Sequence, residues 1–159
     1  MVAWARAHFQ DPWPLQPACT NFVSRALRNG FGMRFRTTPA WLGWQFQLAR
    51  YRDNHYWWYL ASPPTLHTFS WAAATNLNEF LSMHNIVSQP YFASARPGDV
   101  VFFDKMRDGR QWDHAAVITK MLHGVPFVTE QQDNHRDRSL MTIWREHRPS
   151  IRILRVNFV

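Results

Sequence analysis

The sequence predicts an α+β fold in which N-terminal helices pack on one face of an antiparallel sheet formed by the C-terminal half. In the first half, apolar side chains recur at helical spacing after Pro17 and again after Thr68. From residue 96 onward, short apolar runs are separated by turn residues, which is typical of strands. The chain has 159 residues, 46% of them hydrophobic, so it can bury a core of its own. We therefore predict one domain over residues 1–159, either alone or as part of a larger exported protein.

Two helices are predicted in the first half. The first covers residues 17–30, and its apolar face carries Cys19, Phe22, Val23, Ala26 and Leu27. Its polar face carries Ser24, Arg25, Arg28 and Asn29. The second begins near Ser70, with Thr68 or Ser70 as N-cap, and its apolar face carries Trp71, Ala74, Leu77, Phe80 and Leu81. Residues 31–66 between them show few regular patterns, with room for one short helix.

The second half is predicted to form strands over residues 99–104, 114–119, 125–129 and 151–156, with 139–144 as a further candidate. Pro97 and Gly98 mark the turn that leads into the first of these strands. His123 and Gly124 mark the hairpin between the second and the third.

Cys19 is the only cysteine in the chain, so it cannot form an internal disulfide or a cysteine-only metal site. It is therefore either a packing residue or a reactive thiol. At the start of a helix, unpaired N–H groups and the positive end of the dipole favour a thiolate and lower the thiol pKa.

His114 is the best partner for Cys19. In a strand, His114, Ala116 and Ile118 face one side of the sheet, and Asp113 faces the other. If the Cys19 helix covers the His114 face, the two side chains meet and form a Cys–His pair.

The residue that orients His114 is expected on the next strand. A turn centred at residues 122–123 pairs residue 114 with a position near 131, so Gln131 is the candidate. Gln132 and Asn134 lie close to it in sequence. A side-chain amide there can accept a hydrogen bond from the ring and hold the useful tautomer.

The formal charge of +7 and the pI near 10.5 imply an anionic neighbour, such as nucleic acid, anionic lipid or the bacterial cell wall. A nuclease or nucleic-acid binder is the main alternative to a function based on the reactive thiol of Cys19, but the basic residues form no dense stripe and no nucleic-acid motif is present. Without a His-Glu-x-x-His motif or a cysteine pair, neither metal nor cofactor is predicted. A binding module that keeps the fold without activity also stays open.

The N-terminus lacks the apolar stretch of a signal peptide, and no stretch approaches the roughly 20 apolar residues of a membrane span. We expect a cytosolic protein, one delivered by another route such as a secretion system, or a domain of an exported protein.

Several stretches resemble the bacterial "putative amidase domain" family, which is related to the papain-like NlpC and CHAP cysteine hydrolases of peptidoglycan. They are Cys19–Ser24, Ser70-Trp71, Gly98–Asp104, Asp113–Ile118, Phe127–Thr129 and Arg136–Leu140. The resemblance implies a papain-like fold with Cys19 as nucleophile and His114 as base. The chain departs from the family in having Ala18 where Asp is usual and Gln131 where His is usual.

The resemblance also implies a function: hydrolysis of amide bonds in peptidoglycan peptides by a thioester mechanism. The backbone N–H of Cys19 would stabilise the oxyanion, and Gln16 or Gln10 would supply a second donor. Further candidate oxyanion or substrate-binding residues are Asn21, Trp71 and Trp112. A compact domain of this kind also resembles the toxic cargo of secretion systems, which would need an immunity protein in the producing cell. Such a toxin would act on the wall, or would cleave or deamidate a protein inside the target cell.

Overall fold

The computed structural model describes residues 1–13, 18–39, 51–61, 66–84, 87–107 and 111–157. Five α-helices lie in these ranges: α1 (Val2–His8), α2 (Ala18–Arg25), α3 (Phe69–Ala72), α4 (Ala74–Met83) and α5 (Leu140–His147). The strands are β1 (Tyr59–Leu60), β2 (Leu66–His67), β3 (Val87–Ser88), β4 (Val100–Asp104), β5 (His114–Leu122), β6 (Val125–Glu130), β7 (His135–Ser139) and β8 (Ser150–Val156). Much of the predicted irregular segment, at residues 40–50 and 62–65, lies outside the described residues.

Six of these strands form one sheet in the order β3-β8-β4-β5-β6-β7, and every neighbouring pair is antiparallel. The short strands β1 and β2 pair separately. The α+β class with an antiparallel sheet in the C-terminal half is therefore confirmed. The papain-like assignment stays a prediction.

The sheet buries both of its faces. On one face, α1, α2 and α4 pack against alternate residues of the central strands, including Phe102, Ala115 and Val117. On the other face, α5 packs against Val101, Phe103, Ala116, Ile118, Val128 and Ile153. The N-terminal helices thus pack on one face, as predicted, and the other face is covered by the C-terminal helix α5, which was not predicted.

Helix α5 begins at Leu140 and so covers all but the first residue of the further strand candidate, residues 139–144; Ser139 is the last residue of β7. Leu140 and Ile143 are buried at helical spacing, whereas Met141 and Trp144 are partly exposed. A short apolar run fits a helix and a strand equally well by periodicity alone, and packing on the second face of the sheet decides for the helix. Strand β7 was missed because its sequence, His135–Ser139, is polar throughout and shows no apolar alternation.

Helix α2 forms as predicted but continues into a π-helical turn over Ala26–Gly30. Its predicted polar face is partly wrong, because Ser24 and Arg25 are buried. The Ser24 hydroxyl donates to the backbone oxygen of Trp71 at 2.8 Å and accepts from Trp57 Nε1 at 3.2 Å. Since α2 lies between α1, α3 and the sheet, Ser24 and Arg25 are buried and find partners inside the protein.

The other predicted elements are present. The strands predicted at 99–104, 114–119, 125–129 and 151–156 correspond to β4, β5, β6 and β8. The second predicted helix is divided into α3 and α4 by extended backbone at Ala73, and its predicted apolar face is buried. Thr68 is the N-cap residue of α3; its hydroxyl accepts from the Ser70 hydroxyl at 2.9 Å but makes no capping hydrogen bond with a backbone N–H of the helix.

Among the described residues, no helix combines the length and the apolar character that a membrane crossing requires.

Candidate active site

Cys19 is the second residue of α2, and its side chain is fully buried. The sulfur lies 3.7 Å from the Thr20 hydroxyl oxygen. The His114 side chain and the backbone of Ala115 also interact with the sulfur and act on its pKa. Cys19 thus lies in the first turn of α2, where backbone N–H groups have no partner within the helix.

The surroundings of Cys19 favour the thiolate. Burial raises the pKa of the Cys19 thiol, because a charged sulfur is less stable away from water. Hydrogen bonding to His114 and the charge of its ring act in the opposite direction, as do Thr20 and the backbone of Ala115. These contacts outweigh burial, so the pKa of Cys19 is below its ordinary value.

His114 is the first residue of β5 and is buried beside the ring of Phe103, with ring centroids 5.5 Å apart. Its Nε2 is hydrogen-bonded to Oε2 of Glu130, the last residue of β6. Because an ionised carboxylate only accepts, Nε2 carries the hydrogen. Nδ1 is then the ring nitrogen left for the sulfur of Cys19.

His114 and Glu130 each stabilise the charged form of the other. Burial lowers the pKa of His114, but hydrogen bonds and charge interactions with Cys19 and Glu130 raise it to about 9. Burial raises the pKa of Glu130, but His114, His135 and the charge of Lys105 lower it to about 2. Near neutral pH His114 is therefore an imidazolium and Glu130 a carboxylate, and the imidazolium favours the thiolate form of Cys19.

The structure places Glu130, and not Gln131, on the ring of His114. Gln131 faces α2 and the segment that follows α1: its Nε2 donates to the backbone oxygen of Asp11, and its Oε1 accepts from Arg25 Nη1 at 3.4 Å. The hairpin turn lies at residues 123–124 rather than 122–123, because Leu122 pairs with Val125. The register shifts again between Ile118 and Lys120, so that Val117 pairs with Thr129. Because side chains alternate along a strand, Glu130 lies on the His114 face of the sheet and Gln131 lies on the opposite face.

The nearby alternatives to Gln131 do not take its expected place either. Gln132 is exposed. The Asn134 amide, with its nitrogen turned toward two carbonyl groups, donates to the backbone oxygens of Gln131 and Phe9 at 2.7 and 3.0 Å. The alternation of side chains along the two strands is the signal that identifies Glu130. Glu130 lies on the same face of β6 as Val128, and Val128 pairs with Ile118. Ile118 in turn lies on the same face of β5 as His114.

The prediction that the Cys19 helix covers the His114 face of the sheet is also wrong. Helix α2 packs on the face of Ala115 and Val117, whereas Ala116 and Ile118 face α5. The two side chains instead interact at the starts of their elements, because Cys19 is the second residue of α2 and His114 is the first residue of β5.

The other candidate residues occupy different places. Trp71 is buried in the core, with its ring 4.9 Å from that of Trp57 and 5.4 Å from that of Tyr59. Trp112 is partly buried, and Thr75 Oγ1 accepts from its backbone N–H at 2.7 Å. Asn21 is buried within α2, Gln10 is exposed, and Gln16 lies outside the described residues.

One group of side chains in the described part of the chain has the spacing of metal ligands. The ligand atoms of Glu130, Asp133 and His135 lie within 4.8 Å of one another. Arg138 Nη1 lies 3.5 Å from His135 Nδ1, and the charge of Lys105 acts on Glu130. Two positively charged side chains of the protein, Arg138 and Lys105, therefore already interact with members of this group.

Comparison with known protein families gives one result. A family model described as "Putative amidase domain" matches residues 5–154, which include Cys19, His114 and Glu130. No curated protein and no solved structure matches the chain significantly.

Proposed function

The chain belongs to the "putative amidase domain" family, and on that premise we propose that it is a cysteine-dependent amide hydrolase. Family membership indicates an amide hydrolase in general. The observation that supports a cysteine mechanism is the buried series Cys19–His114–Glu130, in which His114 interacts with the thiol and is hydrogen-bonded to Glu130. In it Cys19 is the nucleophile, His114 the acid and base, and Glu130 the positioning residue. We also propose that the chain is related to the papain-like NlpC and CHAP hydrolases, and this set of roles supports that relation.

The reaction begins when the Cys19 thiolate attacks the carbonyl carbon of the substrate amide. The carbonyl oxygen takes up the electron pair, and the Cys19 backbone N–H in the first turn of α2 stabilises the oxyanion. The C–N bond then breaks as His114 passes its Nδ1 proton to the leaving amine, which leaves a thioester on Cys19.

Hydrolysis of the thioester restores the enzyme. Neutral His114 takes a proton from a water molecule, and the resulting hydroxyl group attacks the thioester carbonyl. The C–S bond breaks and releases a carboxylic acid and the Cys19 thiolate. His114 is again an imidazolium, and throughout the reaction Glu130 holds the hydrogen on Nε2 of His114 in place.

We assign peptidoglycan peptides as the substrate. The net charge of +7 supports this assignment, because a cationic protein accumulates at the anionic bacterial wall. The proposal includes release by a secretion system as an antibacterial toxin and an immunity protein in the producing cell.

The proposal is tested by incubating purified peptidoglycan with the protein and with its Cys19→Ala variant, followed by mass spectrometry of the soluble fragments. We expect fragments with new amine and carboxylate ends from the wild type only. If the wall stays intact while a protein of the target cell is cleaved or deamidated in a Cys19-dependent way, the cysteine mechanism stands and the substrate is wrong. Degradation of RNA or DNA by both proteins would replace the hydrolase with a nuclease.

A further inference from the structure

On the basis of the proposed cysteine mechanism, we propose that His135 is a second positioning residue, which holds the Glu130 carboxylate in the orientation that His114 requires. His135 Nδ1 lies 3.0 Å from Glu130 Oε1, whereas His114 uses Oε2. Each oxygen of the buried carboxylate is thus directed toward its own histidine.

The position of His135 follows from the local backbone. His135 is the first residue of β7 and pairs directly with Glu130 across the antiparallel ladder. The turn between them is closed by a hydrogen bond from the Asn134 backbone N–H to the Gln131 oxygen, with Asn134 at a φ of 52°. A register irregularity between Val128 and Glu130 accompanies this turn. The backbone therefore holds both side chains as close cross-strand neighbours.

A second hydrogen bond has a physical purpose at this carboxylate. The terminal torsion of a glutamate side chain has a broad energy profile, so one hydrogen bond alone does not fix the carboxylate plane. With both oxygens held, rotation of the plane would break two hydrogen bonds at once. His135 therefore acts on Cys19 at a distance, through Glu130 and His114.

Several charged groups face this pair. Lys105 acts on Glu130 through its charge, and Asp133 lies within the group of ligand atoms described above. Arg138 lies 3.5 Å from His135 Nδ1, but its Nη2 also forms an ion pair with Glu146. The His135 ring is 38% exposed, so its substitution should disturb the core little.

The test measures alkylation of Cys19 by iodoacetamide from about pH 5 to about pH 10, which needs no substrate. We compare the wild type with His135→Ala, His135→Asn and the control His147→Ala, an exposed histidine at the end of α5. If the thiol pKa rises by one unit, the thiolate fraction below it falls tenfold. We therefore expect His135→Ala to react about tenfold more slowly near pH 6 and at the wild-type rate near pH 10. His135→Asn, whose amide N–H can replace Nδ1–H, should keep most of the rate, and His147→Ala all of it.

Three outcomes would overturn the inference. The first is that His135→Ala shows the same dependence of alkylation rate on pH as the wild type. The second is that the alkylation rate of His135→Ala falls equally at every pH, or that His135→Asn loses as much rate as His135→Ala. The third is that EDTA changes the alkylation rates of the wild-type protein and Zn²⁺ restores them, since Glu130 and His135 would then hold a cation. If Cys19 of the wild type reacts as an ordinary thiol regardless of His114, the proposed function itself fails.

Discussion

His114 and Glu130 form a hydrogen-bonded pair, Nε2 to Oε2, in which the two side chains are only 3% and 2% exposed. Loss of one partner from a buried pair leaves the other as an uncompensated charge, which is strongly unfavourable. The pair lies between the thiol of Cys19 and the ring of His135. Substitutions in this region should therefore change the protonation of the site as well as its geometry.

Cys19→Ser should abolish hydrolysis without unfolding the domain. A serine hydroxyl has nearly the size of the thiol, but it does not ionise near neutral pH and so provides no comparable nucleophile. We expect activity to fall by about a thousandfold or more. Amide hydrolysis and thermal unfolding should be measured on the same preparation. A folded Cys19→Ser protein with full activity would show that the nucleophile is not the thiol.

His114→Ala should slow the alkylation of Cys19 by iodoacetamide near pH 6–7. Without the imidazolium, the thiol loses its main stabilising charge and its pKa rises. The difference from the wild type should disappear at high pH, where the thiol ionises unaided. Rates should be followed by mass spectrometry at several pH values. Equal rates at every pH would mean that the two side chains do not interact in solution.

Glu130→Gln should lower hydrolysis about ten- to a thousandfold, the range for positioned acid–base groups. The amide keeps the size of the side chain but removes the charge that stabilises the imidazolium. Gln131→Ala is the matched control: it removes contacts with Asp11 and Arg25 but leaves His114 untouched. Comparison of kcat/KM for the two variants shows whether Glu130 or Gln131 positions His114. A large loss in Gln131→Ala with an active Glu130→Gln would restore the register expected from the sequence.

The rate of hydrolysis should decline above about pH 9. The pKa of His114 is raised to about 9, because hydrogen bonds and charges of Cys19 and Glu130 outweigh the effect of burial. Above that pH the ring loses the proton that the leaving amine needs. In Glu130→Gln the decline should begin at lower pH, because the carboxylate charge is gone. The pH profile of kcat/KM measures both, and identical profiles would be inconsistent with the Glu130 contact.

Ser24→Ala should destabilise the fold by about 1–3 kcal/mol, because it leaves Trp57 Nε1 and the Trp71 backbone oxygen without their buried partner. Ser94→Ala is the control, because the Ser94 hydroxyl donates to the Tyr91 oxygen at an exposed site. The two midpoints of urea unfolding should be compared. A change in Ser24→Ala as small as that in the control would support the exposed position predicted from the sequence.

The elements that depend on local patterns could be predicted from the sequence. Apolar residues at helical spacing indicated the helix that begins with Cys19, and the turn at His123-Gly124 indicated the hairpin of β5 and β6. Elements without such a pattern could not be predicted. Strand β7 is polar and forms because β6 offers a hydrogen-bonding edge, and Leu140–His147 becomes a helix because the second face of the sheet has to be covered.

By itself, the sequence determined the α+β class, the single thiol at a helix start and the strand that begins with His114, because these follow from side-chain periodicity along a continuous segment. Only the tertiary structure decided that Glu130, rather than Gln131, lies on His114, and that Ser24 and Arg25 are buried. Such contacts depend on strand register and on the packing of distant segments. A shift of a single residue exchanges the two faces of a strand, so an approximate turn position cannot identify the contacting side chain.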